Sequence, residues 1–119
     1  MLVRALLTAL SLVAFAAAAS AFEGSYASGG RDFSRSAKIS SNGPGTYRVD
    51  LTVTARNCTG ELEAYGEVVR GSLVATPPTQ DDPCKVTILR RGTGIVIREQ
   101  QCLNWHGVSC DFSGALNRE

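Results

Sequence analysis

The stretch CLNWHGVSC, residues 102–110, concentrates the residue types that could do chemistry in this chain. It holds the only histidine, His106, and the only tryptophan, Trp105, between two of the four cysteines. His106 is therefore the one imidazole that could act as a general base, so a Ser-His-Asp or Cys-His system would have to use it. The chain has no GxSxG nucleophile elbow. A single histidine on a loop more often makes a structural or partner contact, and we predict that the protein is not an enzyme.

The cysteine and histidine spacings do not suit a metal site. Cys58, Cys84, Cys102 and Cys110 form no CxxC pair, and no HxH or HExxH spacing occurs. We therefore expect no metal and no cofactor, and two disulfides in an oxidising compartment. Three pairings are possible. We predict Cys102–Cys110, which would close the local loop, and Cys58–Cys84, which would join neighbouring turns.

Carboxylates are the second group of residues that could take part in catalysis. Glu61, Glu63 and Glu67 fall on one side of an alternating stretch and could suggest the paired acids of glycoside chemistry. Their outward parity favours a solvated strand face that limits aggregation. Asp81 and Asp82 are typical turn residues, although an acidic loop tip could meet a basic partner.

The elements that would position these residues are strands, because the hydrophobic period is two almost everywhere. In TYRVDLTVT, apolar residues alternate with polar ones, as expected for a strand with one wet face. The same pattern, bounded by Gly, Pro and Asn turns, predicts eight strands at 22–26, 36–40, 46–54, 61–69, 72–76, 84–89, 94–99 and 110–116. We predict an all-β, antiparallel eight-stranded barrel of up-and-down topology, with a β-sandwich as the alternative.

An up-and-down order places the connections alternately at two ends. The turns 41–45, 70–71 and 90–93 would share one end, and the longer segments 27–35, 55–60, 77–83 and 99–110 the other. All the cysteines, Trp105 and His106 would lie at this second end, which we call the rim. Long ordered loops on a rigid scaffold commonly carry binding, so the rim is the predicted site. The sequence leaves open whether the first and last strands pair or keep free edges that could form a homodimer.

The predicted interior is bulky. Eight strands enclose space for side chains or for one small ligand. Large side chains on inward parity should fill that space: Phe22, Tyr26, Tyr47, Leu51, Val53, Leu62, Val86, Ile88, Ile95, Ile97 and Phe112. Val68 shares the parity of Leu62. A small-ligand carrier is therefore an alternative, not the leading hypothesis.

Residues 1–21 have the pattern of a secretory signal peptide. Arg4 precedes an uncharged apolar run over residues 5–19, and Ala-Ser-Ala at 19–21 suits signal peptidase. We expect an exported, soluble, periplasmic domain spanning residues 22–119. Arg4 is one of 12 basic residues against 11 acidic ones, so the mature chain is electrically balanced. Nucleic-acid partners and attachment to membrane surfaces are disfavoured, because both depend on surplus positive charge.

In signal peptide, size, strand count and cysteine use, the chain resembles the membrane-bound and periplasmic inhibitors of c-type lysozyme from Gram-negative bacteria. Those inhibitors are disulfide-supported eight-stranded barrels, and many carry an S-G-x-x-Y stretch on a loop that enters the enzyme cleft. The nearest match here is Ser28-Gly29-Gly30-Arg31-Asp32, with aspartate in the tyrosine position.

The resemblance implies an inhibitor that fills the cleft of c-type lysozyme and so protects peptidoglycan. Lysozyme cleaves sugars with two carboxyl groups, and an inhibitor that offers hydrogen-bond donors to them would exclude substrate. The partner-binding residues we predict are Ser28, Gly29, Gly30, Arg31, Asn104, Trp105 and His106. Lysozymes are strongly basic, so an inhibitor with an acidic surface would also gain electrostatic steering. The alternative is a periplasmic small-ligand-binding or structural barrel protein.

Overall fold

The computed structural model describes residues 21–119, so the predicted signal peptide lies, apart from Ala21, outside the described residues. The described chain is all-β, with one turn of 3-10 helix at Leu103–Trp105. Its strands are β1 (Gly24–Gly29), β2 (Phe33–Ser41), β3 (Thr46–Ala55), β4 (Cys58–Val69), β5 (Ser72–Thr76), β6 (Lys85–Arg91), β7 (Gly94–Gln100) and β8 (Gly114–Arg118).

The eight strands form a closed antiparallel barrel in sequence order. This confirms the predicted barrel and its up-and-down topology, and excludes the sandwich alternative. The closing seam is short, because β1 and β8 pair only at Tyr26 with Arg118 and at Ala27 with Asn117. Arg118 reinforces it by donating hydrogen bonds to the carbonyl of Glu23 at 3.0 Å and to the hydroxyl of Tyr26 at 2.9 Å. The two terminal strands therefore pair with each other within one chain.

Strict alternation fills the barrel with apolar side chains. All of the residues predicted to fill the interior are buried. Val68 shares the parity of Leu62 but is 41% exposed. The reason is that the last residues of β4 pair only with β5, at Val68 with Leu73 and at Val69 with Ser72, beyond the end of the β3 ladder.

The disulfides join Cys58 to Cys110 and Cys84 to Cys102, so the predicted pairs Cys58–Cys84 and Cys102–Cys110 are wrong. Cys84 immediately precedes β6 and Cys102 lies two residues after β7, at the end of the ladder where Lys85 lies opposite Gln100. Their Cα atoms are only 4.4 Å apart. The chain after Cys102 does not fold back locally but crosses the barrel end to β4, which brings Cys110 to Cys58. Closeness in sequence was therefore a poor guide to the pairing.

Candidate functional site

The β7–β8 loop, residues 101–113, forms most of the rim. It lies along the free start of β4, where His106 forms an isolated β-bridge with Gly60 and the amide of Gly107 donates to the carbonyl of Thr59 at 3.1 Å. The loop can lie this close to β4 because Gly60 has no side chain. A Cβ atom there would lie 2.4 Å from the Cβ of His106. The loop is therefore an added edge segment of the sheet, held at both ends by disulfides.

The ring of His106 is enclosed beneath this loop. Its Nε2 lies 2.9 Å from a carboxylate oxygen of Glu99, and its Nδ1 lies 2.7 Å from the carbonyl oxygen of Gly107. The other Glu99 oxygen accepts the amide of Phe112 at 2.6 Å, and the Phe112 ring meets the imidazole edge-to-face. The His106 side chain is 3% exposed. In the free chain its ring nitrogens therefore face groups of the protein itself, and the predicted contact of His106 with a partner stays a prediction.

The electrostatics of the pocket favour the charged imidazole. Burial lowers the pKa of His106, but the hydrogen bonds to Glu99 and to the Gly107 carbonyl raise it. The negative charges of Glu99 and Asp111 raise it further, so the net direction is above the ordinary value of 6.5. The geometry agrees, because both ring nitrogens face acceptors and only the imidazolium has two N–H donors.

Trp105 links two loops of the rim. Its indole nitrogen donates to a carboxylate oxygen of Asp82 at 3.1 Å, while the other oxygen of Asp82 accepts the amide of Cys84 at 2.9 Å. The ring packs partly against the barrel core and also lines a surface depression. Trp105 thus acts both as a cap on the core and as part of an exposed wall. In the sequence, Asp82 is typical of an ordinary turn residue, and its place two residues before a cysteine is the only signal of this role.

The β1–β2 turn supplies the remaining predicted residues. Ser28 is half-buried, whereas Gly29, Gly30 and Arg31 are exposed. Gly29 has a φ of 100°, a conformation that favours glycine, and the amide of Gly30 donates to the carbonyl of Phe33 at 2.6 Å. The tight turn leaves the side chain of Arg31 on the surface.

Three adjoining depressions run along the outer face of β3 and β4, with volumes of about 270, 450 and 420 Å³. The first and second share Thr54, and the second and third share Thr52 and Glu61. We call this surface the β3–β4 groove. It comprises Arg31, Asp32 and Arg56 at the rim end, Thr52, Thr54 and Thr59 in the middle, and Asp50, Glu61, Glu63 and Trp105 at the far end.

Charges at the two ends of the groove differ in sign. Arg31 and Arg56 form no salt bridge within residues 21–119, and neither does Glu61. Asp50 and Glu63 are partly neutralised by Arg48, at 3.0 and 3.5 Å. At the rim end, two unpaired arginines outnumber the one unpaired carboxylate, Asp32, so the net charge there is positive, whereas the unpaired group beside Trp105 is anionic. This polarity is hidden in the balanced composition.

The predicted site residues thus fall into two sets. Arg31 and Trp105 lie at opposite ends of the β3–β4 groove, and Asn104 is exposed on the β7–β8 loop beside Trp105. The same loop exposes Leu103 at 65% and Val108 at 94%, apolar side chains that the alternating pattern of the strands does not reveal. Alternation in the sequence indicates which face of a strand is buried. It does not indicate which side chains of the disulfide-bonded β7–β8 loop are exposed to solvent.

Within residues 21–119, no cluster of three or more His, Cys, Asp or Glu side chains is arranged to hold a metal ion. In the same part of the chain, no helix has the length and apolar character needed to cross a membrane. The two disulfides fit an exported protein.

No protein-family model, no curated protein and no solved structure matches the chain.

Proposed function

We propose that the protein is an exported, periplasmic inhibitor of c-type lysozyme that blocks the cleft of the enzyme with its rim. The observation that carries this proposal is the β3–β4 groove, with two unpaired arginines and one unpaired aspartate at the rim end and the unpaired carboxylate of Glu61 beside Trp105 at the other. Such a surface suits a partner whose cleft is acidic and whose remaining surface is basic.

The cationic end would meet the catalytic groups. Arg31 and Arg56 come from two different turns but line one depression. A guanidinium donates up to five hydrogen bonds and pairs with carboxylates in a fixed fork, so two arginines can engage the two carboxyl groups of a lysozyme cleft. Ser28, on the neighbouring depression of the same hairpin, is a further donor.

The anionic end would meet the body of a basic enzyme. Glu61 is exposed and forms no salt bridge within the described residues. Beside it lies the ring of Trp105, whose orientation is fixed by its hydrogen bond to Asp82. Trp and Arg are typical anchors of protein interfaces, and complementary charge speeds association. Leu103 and Val108 add apolar contact area on the same loop.

Rigidity supports an inhibitory role over a purely structural one. Disulfides fix both ends of the β7–β8 loop, so little conformational entropy remains to be lost on binding. The barrel interior is filled by bulky side chains, which argues against a small-ligand carrier. Inhibition would proceed by occlusion and would require no chemistry from the inhibitor.

The test is lysis of permeabilised bacterial cell walls by c-type lysozyme, with and without the purified chain from residue 22. We expect inhibition at stoichiometric ratios. Undiminished lysis at large excess would refute the proposal. The double variant Arg31→Ala, Arg56→Ala should lose inhibition, while the matched double variant Arg90→Ala, Arg91→Ala, at the opposite end of the barrel, should retain it.

A further inference from the structure

The only histidine of the chain is buried with acceptors on both sides. Glu99 of β7 faces Nε2 at 2.9 Å, and the carbonyl of Gly107 faces Nδ1 at 2.7 Å. A neutral imidazole has one N–H and one lone pair. In the neutral form, one of these two contacts would therefore place a lone pair against an oxygen acceptor.

The other groups around His106 do not relieve this conflict. β4 contributes Thr59 and Gly60, which do not titrate, and the nearby Cys58–Cys110 disulfide does not titrate either. Within the loop, Asp111 adds negative charge and is itself paired with Arg35 of β2 at 2.9 Å. The ring stands edge-on to Phe112, which supplies no hydrogen bond. The local surroundings favour a proton on both nitrogens.

We propose that this proton is a latch: the imidazolium of His106 holds the β7–β8 loop against β4, and loss of the proton releases residues 103–109. The disulfides limit the release. Cys102 stays tied to Cys84 and Cys110 to Cys58, so only the segment between them loosens and the barrel remains closed. The released segment carries Leu103, Trp105 and Val108, so exposure of the rim depends on pH. This inference concerns the loop alone and stands whether or not the partner is lysozyme.

The direction in which pH acts on the latch follows from the direction of the pKa shift of His106. The pKa of His106 is raised above 6.5, so the latch is fully closed below 6.5 and opens as the pH rises through the pKa of the folded protein. The hydrogen bond from the amide of Gly107 to the carbonyl of Thr59 reports the state of the latch directly. Trp105, the only tryptophan, reports it optically.

The experiment is an NMR titration of the chain from residue 22, following the His106 ring protons and the hydrogen-exchange protection factor of the Gly107 amide. Protection factors are used because they correct for the intrinsic exchange rate, which rises with pH through base catalysis. We expect His106 to titrate above 6.5, with protection of Gly107 falling through the same pH range while amides of the β3–β4 ladder stay protected. Titration at or below 6.5, or protection of Gly107 that does not change as His106 deprotonates, would overturn the proposal.

Two variants separate the latch from a general effect of charge. Glu99→Gln keeps an oxygen to accept the amide of Phe112 but removes the carboxylate, so it should lower the pKa of His106 and move the loss of Gly107 protection to lower pH. Glu67→Gln removes an exposed carboxylate on β4 at the opposite end of the barrel and should change neither. If Glu99→Gln does not fold, the titration of the unmodified chain still decides the question.

Discussion

The indole nitrogen of Trp105 donates a 3.1 Å hydrogen bond to Asp82, a residue 23 positions earlier in a different loop. Asp82 also accepts the amide of Cys84, so one carboxylate fixes the end of the β5–β6 loop and the orientation of the tryptophan ring. The exposed wall that Trp105 adds to the β3–β4 groove therefore depends on a residue outside the β7–β8 loop.

Replacing Asp82 with alanine should lower the free energy of unfolding by about 1–3 kcal/mol, because two donors in a partly buried site lose their acceptor. Urea denaturation followed by Trp105 fluorescence measures this loss. Asp32→Ala, in the exposed β1–β2 turn, is the matched control and should stay within about 0.5 kcal/mol of the unmodified chain. Equal stability of the two variants would show that the Asp82 contact contributes nothing.

Replacing Gly60 with alanine should push the β7–β8 loop away from β4. The new Cβ would lie 2.4 Å from the Cβ of His106 and 2.8 Å from the carbonyl oxygen of Trp105. We expect a loss of about 1–3 kcal/mol in stability and increased quenching of Trp105 by acrylamide. Gly30→Ala meets no atom within 4 Å and serves as control. Unchanged quenching in Gly60→Ala would mean that the loop does not pack on β4 as described.

Removing each disulfide should destabilise the protein according to the loop that it closes. For sequence separations of 52 and 18, the chain-entropy estimate is about 4 kcal/mol for Cys58–Cys110 and about 3 kcal/mol for Cys84–Cys102. Paired Cys→Ala variants and thermal denaturation measure these losses. A peptide map under non-reducing conditions tests the pairing itself, and a linked Cys102–Cys110 peptide would contradict it.

Stability should fall as the pH rises through the pKa of His106. Because that pKa is raised in the folded protein, the contribution of the imidazolium is complete below 6.5 and is lost above the folded value. Chemical denaturation at a series of pH values should show this decline in the unmodified chain. His106→Gln should remove it, leaving the profile flat over the same range. A decline that persists in His106→Gln would assign it to another group.

Reversing the charge of Glu61 should slow association with a basic lysozyme. Glu61→Lys places a cation in the anionic end of the β3–β4 groove, and we expect an association rate about tenfold lower at low ionic strength. Added salt should reduce the difference. Glu67→Lys makes the same change on the same strand but outside the groove, so equal effects of the two variants would argue against the groove as the contact surface.

Period-two alternation, as in β3, and Gly-rich turns were sufficient to predict the strands, their order and the inward residues, because a pleated strand with one buried face leaves that pattern in the sequence. They also placed the β1–β2 turn, which carries Arg31, and the β7–β8 loop, which carries Trp105, at the same end of the barrel. The prediction of a signal peptide and the balance of charge likewise rest on local composition.

Only the tertiary structure decided how the rim is assembled. The disulfide pairing, the hydrogen bond from Trp105 to Asp82, the burial of His106 and the polarity of the β3–β4 groove all join residues that are distant in sequence. They depend on the path of the β7–β8 loop across the barrel end, and that path depends on a hydrogen-bonded edge of β4 and on the space above Gly60. Alternation specifies which face of a strand is buried, but a loop has no such period, so its contacts are set by the three-dimensional surface that it meets.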